Sequence, residues 1–347
     1  MTDNIHKRKS EHIELSLTEE ALGQGVTNGF DLFQFRHNAL PEIDFDEIDS
    51  SSSFFGRAVK SPFVISSMTG GAEMAEMINR NLAIAAEEQG WIFALGSTRV
   101  MLESNEFRSS FQVRKYAPNT PIVANIGAVQ LNYGVTIKQI KQIIEWTDAD
   151  ALVFHLNTIQ EVIQSGGDTN FRNLLTKMEK VIDALSIPVG VKEVGFGIDG
   201  QTARRLTDIG ASFIDVAGAG GTSWSQVEKL RSKEPLKKQA AEAFSSWGNP
   251  TAKCLQEMKD MIPQQTIVAS GGIRTGLDAA KAIALSADYV GFARSILKEA
   301  IQSEEKAIEW MQVKELELKM VMFGIGVSSI EELQLTNRLY QAKDTYL

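Results

Sequence analysis

Asp150-Ala151-Leu152-Val153-Phe154-His155-Leu156-Asn157-Thr158-Ile159-Gln160-Glu161 is an apolar run that exits into an imidazole, two carboxamides and a carboxylate. Its first half reads as a buried strand. Buried strands normally close in turn residues such as Gly, Asn or Ser. A core strand has no use for such a polar exit, so a polar ligand is expected there. The competing reading, with Asn157 capping the next helix and Glu161 in its first turn, is equally open from the cluster alone.

The same rhythm runs outward in both directions. Short apolar segments fall at Phe63–Ser66, Ile92–Gly96, Ile122–Asn125 and Ala151–Leu156, then at Val189–Lys192, Phe213–Ala217, Ile267–Ser270 and Tyr289–Phe292. Between them lie amphipathic runs with helical spacing, such as Ile137, Ile140, Ile143 and Ile144, or Leu174, Met178, Val181, Ile182 and Leu185. Strand and helix alternating eight times predict an α/β fold, a (β/α)8 TIM barrel; a doubly wound sheet is the main competitor. Residues 1–61 read as a polar N-terminal extension, and 62–347 as the barrel with C-terminal helices. Gly218–Pro250 is long for a connection after strand six and reads as a lid loop.

Composition narrows the function. With 347 residues and a net charge of −9, the chain lacks the basic face a nucleic-acid binder needs. Local cations and helix N-termini can still hold small anions. One cysteine, Cys254, excludes internal disulfides and Cys-cluster metal sites, and fits a reducing compartment. No apolar run reaches membrane-spanning length and Met1–Glu20 has no signal-peptide core, so a soluble cytoplasmic protein is expected. The apolar stretch Ile308–Ile325 is a candidate subunit seam for a homo-oligomer, a tetramer or octamer.

In a barrel, the strand exits share one rim, where such folds carry their sites. These exits hold Ser67-Met68-Thr69-Gly70-Gly71, Gly96-Ser97-Thr98-Arg99, Asn125, the His155–Glu161 cluster and Lys192-Glu193. Further on come Gly220-Gly221-Thr222, Ser270-Gly271-Gly272-Ile273-Arg274 and Gly291-Phe292-Ala293-Arg294. Glycine turns late in the barrel let backbone N–H groups close on a phosphate, so a phosphorylated cofactor is expected. Lys192, at the inner end of an apolar strand, is costly to bury unless paired. It either bridges Glu193 or another carboxylate, or presents a cation to an electron-rich ring. Asn125 and Ser97 could donate hydrogen bonds to the same ring.

Gly195-Phe196-Gly197-Ile198-Asp199-Gly200 matches the dinucleotide fingerprint, but four strands precede it, so the match is discounted. Arg8, Lys9 and His12 have the chemistry to clamp a diphosphate, although by composition this segment reads as a solvated tail.

Taken together, these motifs resemble the type 2, flavin-dependent isopentenyl-diphosphate isomerases over nearly the whole chain. The blocks specific to that family are His155-Leu156-Asn157-x-x-Gln160-Glu161 and Val191-Lys192-Glu193-Val194-Gly195-Phe196-Gly197, and Arg8-Lys9-x-x-His12 adds to the resemblance. Asn249 departs from the family pattern, which usually has a branched apolar residue there; this bears on lid packing. The resemblance implies FMN across the rim. Ser67, Met68, Thr69, Ser97, Asn125 and Lys192 would contact its ring and ribityl chain, and Thr222, Gly271, Gly272, Arg274, Ala293 and Arg294 its phosphate. Arg8, Lys9, His12, Ser97, Arg99 and Gln160 would face the substrate, and Glu161 would bind Mg²⁺. Isopentenyl diphosphate would be converted to dimethylallyl diphosphate with reduced FMN as acid–base group, NADPH serving only to reduce it. His155, Gln160 and Lys192 would be the catalytic side chains, with His155 either a proton carrier or an orienting residue. The rival is an FMN-dependent α-hydroxy acid oxidase, disfavoured because His6, His12, His37 and His155 all lie in the first half.

Overall fold

The computed structural model describes residues 2–71 and 73–342, with side chains described for all of these except 2–8, 73 and 107. Eight short parallel strands close into a barrel: β1 (Phe63–Ile65), β2 (Ile92–Ala94), β3 (Ile122–Gly127), β4 (Ala151–His155), β5 (Val189–Lys192), β6 (Phe213–Asp215), β7 (Thr266–Ala269) and β8 (Tyr289–Phe292). Val290 of β8 lies opposite Phe63 of β1, so the sheet has no edge. That closure excludes the doubly wound sheet and, with it, the dinucleotide reading of Gly195–Gly200. Asp199 there caps the helix Gly200–Asp208, accepting from the Thr202 N–H at 2.9 Å.

Strand alternation decides what faces inward. Phe63, Ile65, Phe93, Leu152, Phe154 and Ile214 point out and form the core beneath the helices. Val64, Ile92, Ala94, Val123, Ala151, Val153, Phe213, Val268 and Tyr289 point in and fill the barrel. Gly190 is required in this filling, because a Cβ there would lie 2.3 Å from the Phe213 ring. A hairpin, Ser52–Phe54 with Arg57–Val59, closes the floor, its Phe54 ring edge-on to Phe213 and Tyr289. The same alternation carries Asn125, His155, Lys192 and Asp215 inward above the apolar plug. Pairing registers place His155 opposite Gly127 and Lys192, and Lys192 opposite Asp215, in one layer.

The helices follow ordinary rules. Thr136 starts Ile137–Thr147 with a reciprocal Thr136–Gln139 capping box, and Ile140 and Ile143 turn to the core. In the outer core, Trp91 packs against Phe63 and Phe292 at 4.8 and 5.6 Å, and its indole N–H donates to Glu315 at 2.6 Å.

Two segments differ from the sequence expectation. The solvated tail is a helix, Thr2–Ser16, that docks Ile13 into the core. Gly218–Pro250 is not an irregular loop: it holds the helices Trp224–Arg231 and Pro235–Glu242. The helix Glu304–Ile325 buries Met311, Leu318 and Met322 within the chain itself, leaving Val313, Leu316 and Met320 outward. Asn249 joins neighbouring loops by its main chain, its N–H donating to Phe196 O and its carbonyl accepting from the Ala219 N–H. Among the described residues, no helix is long and apolar enough to cross a membrane.

Candidate active site

A cavity of about 460 Å³ opens at the carboxyl ends of the strands, roofed by the N-terminal helix and Trp224–Arg231. Every residue expected at the site lines it except Arg8, whose side chain lies outside the described residues. Ser67, Met68, Thr69, Ser97, Asn125 and Lys192 lie on one stretch of its wall, and Thr222, Gly271, Gly272, Arg274, Ala293 and Arg294 on the late-barrel stretch. Lys9, His12, Arg99, His155, Gln160 and Glu161 complete it.

The inward layer is electrostatically unusual. Lys192 Nζ donates to the Glu193 main-chain carbonyl at 2.6 Å. Glu193 is thus not its ion-pair partner: neighbours on a strand point to opposite sides, and the Glu193 carboxylate instead accepts N–H groups from Val194, Gly195 and Phe196. Burial pushes Glu193 up to about 7 against those bonds. Burial also raises Asp215, opposed by the Lys192 charge and a 2.5 Å hydrogen bond from Ser270 Oγ.

His155 Nδ1 donates to Asn125 Oδ1 at 2.8 Å. Burial, and then the charges of Lys192 and Lys9, lower it to about 3, so it is a neutral imidazole near neutral pH. The linkage has a definite sign. Between about 6.5 and about 3 the unfolded chain binds a proton at this residue that the folded chain refuses, so stability falls as pH falls through that window. Thermal melts from pH 7 to pH 4 are expected to show this loss, and His155→Asn to flatten it. An unchanged slope in the variant would remove His155 as its source.

The cluster that opens the sequence reading is wired through amides. Glu161 is buried; it accepts from Asn157 Nδ2 at 2.8 Å and from the Asp168 main-chain N–H at 2.7 Å. Asn157 Nδ2 also reaches Gln160 Oε1 at 3.3 Å, while its own Oδ1 is buried without a protein partner. Asn157 is therefore not a side-chain cap for the helix Thr158–Ile163. Arg99 Nη1 donates to Asp168 at 2.7 Å and its Nε to Glu103 at 3.0 Å.

Three carboxylates escaped the sequence reading: Glu103, which lines the cavity, and Asp168 and Glu228, which hold residues that line it. Glu228, on Trp224–Arg231, accepts from His12 Nε2 at 2.9 Å, Gln160 Nε2 at 3.3 Å and Arg231 Nη1 at 2.5 Å. Burial alone would raise Glu228, but the His12 hydrogen bond and the His12 and Arg231 charges outweigh it and hold the carboxyl low. His12 stands edge-on to Trp224 at 5.0 Å, which ties the N-terminal helix to the lid.

The two late arginines already hold protein groups. Arg274 Nη2 donates to Gly220 O at 2.9 Å, and Arg294 Nε to Ser16 O at 2.7 Å, with its Nη2 on Glu19. Cys254 sits off the rim, its thiol pushed up to about 12 by burial.

A closed parallel barrel with glycine-lined late turns and an inward lysine defines a flavin-type barrel enzyme, and the family model for FMN-dependent dehydrogenases matches residues 124–339. A relative from Oceanobacillus iheyensis, named isopentenyl-diphosphate delta-isomerase, is 57% identical over 98% of this chain and 97% of its own. The chain belongs to the isopentenyl-diphosphate delta-isomerases. Relatives of the same name from Synechococcus and Rickettsia canadensis are 47% and 45% identical, over 92% and 94% of this chain and 92% and 95% of theirs. Among solved structures, a flavocytochrome b2 variant has a TM-score of 0.71 at 16% identity, covering 97% of this chain and 83% of that one. A mandelate oxidase variant scores 0.63 at 16% identity, covering 97% and 95%. At such identity the likeness shows the fold alone. The α-hydroxy acid oxidases are fold relatives, while the sequence relatives are isomerases.

Proposed function

We propose that this cavity takes isopentenyl diphosphate against FMN and returns dimethylallyl diphosphate, moving the double bond by one position with no net redox change. The observation that carries the reading is the meeting of the inward layer Asn125–His155–Lys192 with Lys9, Arg99, Gln160 and Glu161 in one cavity.

The residues present fit FMN. Ser66 Oγ and Ser67 Oγ are buried on the rim without a protein partner. The helix Arg294–Gln302 starts at Ala293 with no side-chain cap, leaving its first N–H groups for an anion. Gly271 and Gly272, at φ +100° and +72°, bring that turn against the Gly218–Gly220 backbone, where a Cβ would collide. Ser67, Met68, Thr69, Ser97, Asn125 and Lys192 would hold the ring and ribityl chain. Thr222, Gly271, Gly272, Ala293 and the main chain near Arg274 and Arg294 would hold the phosphate, the Arg274 guanidinium bracing the Gly220 turn and that of Arg294 the end of the N-terminal helix. When bound and reduced, FMN supplies an electron-rich ring and an exchangeable proton at N5.

The rim side chains are poor proton donors to an alkene. His155 is neutral, Glu228 is held ionised, and Cys254 lies elsewhere. His155 orients Asn125, Lys192 stabilises negative charge beside it, and Gln160 is aimed by Asn157 and Glu228. Lys9, Arg99 and Arg8 would grip the diphosphate, with His12 and Ser97 beside it. Among the described residues, no three His, Cys, Asp or Glu side chains gather as a metal cage. A single buried carboxylate, that of Glu161, fits Mg²⁺, which takes its other ligands from diphosphate and water. NADPH as reductant, a cytoplasmic homo-oligomer and the N-terminal extension as part of the substrate site belong to the same proposal.

The purified protein is expected to be yellow, to bleach with NADPH, and then to isomerise isopentenyl diphosphate anaerobically with Mg²⁺. A colourless protein, or hydrogen peroxide release from α-hydroxy acids, would overturn the proposal.

A further inference from the structure

We infer that Asp168 is a positioning residue that fixes Arg99 and Glu161 relative to each other, so that the cation for the diphosphate and the carboxylate for its metal are held at one spacing. This rests on the reading of Arg99 and Glu161 given above. Three rim loops meet at this one residue. Asp168 Oδ2 accepts Arg99 Nη1, from the loop after β2, at 2.7 Å, and Gln130 Nε2, from the turn after β3, at 2.9 Å. Its main-chain N–H donates to Glu161 Oε2, from the helix Thr158–Ile163 after β4, at 2.7 Å. The preceding Gly167 lets that chain fold back: a Cβ there would stand 2.0 Å from Glu161 O and 2.9 Å from Glu161 Oε2.

Asp168 has the wrong sign to bind a diphosphate, so its use is to aim groups that do. With Nε on Glu103 and one Nη1 hydrogen on Asp168, the Arg99 guanidinium is fixed at two of its nitrogens and keeps its Nη2 donors for an anion. The Asp168 side chain anchors the loop, and the loop's N–H holds Glu161 Oε2, which fixes the direction in which that carboxylate would be presented to a hard cation. Supporting groups of this kind typically change metal affinity by about 10–100-fold.

The test compares Asp168→Ala, Asp168→Asn, Arg99→Ala and Glu161→Gln, each purified with FMN. Measured are KM for isopentenyl diphosphate, kcat, the Mg²⁺ concentration for half-activity and, independently of turnover, calorimetric binding of inorganic pyrophosphate with Mg²⁺. Asp168→Ala is expected to raise KM and Mg²⁺ demand by roughly 10–100-fold, to weaken pyrophosphate binding in parallel, and to change kcat at saturation far less. Asp168→Asn, which keeps an oxygen for Arg99 but loses the charge, is expected to shift KM and Mg²⁺ demand in the same direction by a smaller factor, and if the alanine variant folds poorly an Asn variant with no shift overturns the inference. Shifts in Arg99→Ala and Glu161→Gln without any in the Asp168 variants would overturn this inference alone. If none of the four variants moves KM, Mg²⁺ demand or pyrophosphate binding, the reading of the site fails and the inference with it. Equal losses of kcat, FMN content and melting temperature in both Asp168 variants, with KM unmoved, would reduce Asp168 to a structural residue.

Discussion

Glu161→Gln is expected to lower turnover at limiting Mg²⁺ by about a hundredfold or more while the protein stays folded and yellow. The carboxylate is buried and already fixed from two sides, by Asn157 Nδ2 and the Asp168 N–H. Glutamine keeps the volume and one acceptor oxygen. It removes the charge that a hard, reluctantly dehydrated cation requires, and it turns one NH₂ toward a donor. That mismatch costs about 1–3 kcal/mol. In a chain of this length, each kcal/mol amounts to roughly 2–4 °C or less of melting temperature. The activity loss should therefore far exceed the stability loss. A Mg²⁺ titration separates the effects: half-saturation should move up by at least tenfold, on the order seen when a group around a metal is lost. Unchanged turnover at limiting Mg²⁺ would sink the metal assignment.

Lys192→Ala is expected to weaken FMN retention and to lower the flavin midpoint potential by tens of millivolts. Lys192 lies in the same inward layer as His155 and Asp215, and its field acts on both. A unit charge about 4 Å from an anion is worth up to ~4 kcal/mol at an effective dielectric of 20. Because 30 mV corresponds to about 1.4 kcal/mol for a two-electron couple, even a fraction of that energy is measurable. The variant also leaves Asp215 buried without its neighbouring cation, so a stability loss of several kcal/mol should accompany it. The discriminating measurement is a redox titration of the variant reconstituted with FMN. A potential equal to that of the parent protein would remove Lys192 from any role in stabilising reduced flavin.

The barrel was legible because its strands are short apolar runs, several of which close in Gly, Ser or Asn, and period-two alternation places Asn125, His155 and Lys192 on one side of their strands. What escaped depends on contacts between distant segments. Glu228 lies in the long connection after strand six, and its partners His12, 216 residues away, and Gln160 come from distant segments. The N-terminal helix looks like a tail because it contributes few apolar side chains, Ile13 among them, and its remaining attachments are polar, Arg231 on Glu11 and Arg294 on Ser16 O. The Lys192–Glu193 ion pair fails for the same alternation that makes the site: one residue goes in, the next goes out. Arg274 and Arg294 show a further limit, since a guanidinium beside a glycine turn serves a backbone carbonyl or a phosphate equally well. Asp168 follows a glycine pair that reads as a plain turn, and its partners come from two other loops.

The stoppered floor of the barrel has a kinetic consequence. With Phe54 wedged against Phe213 and Tyr289, the cavity lined by the described residues opens at the rim, beneath the N-terminal helix and Trp224–Arg231. A chamber filled from that end is expected to load like a queue in a corridor, a group resting against Lys192 entering before a ligand held nearer the rim and leaving after it.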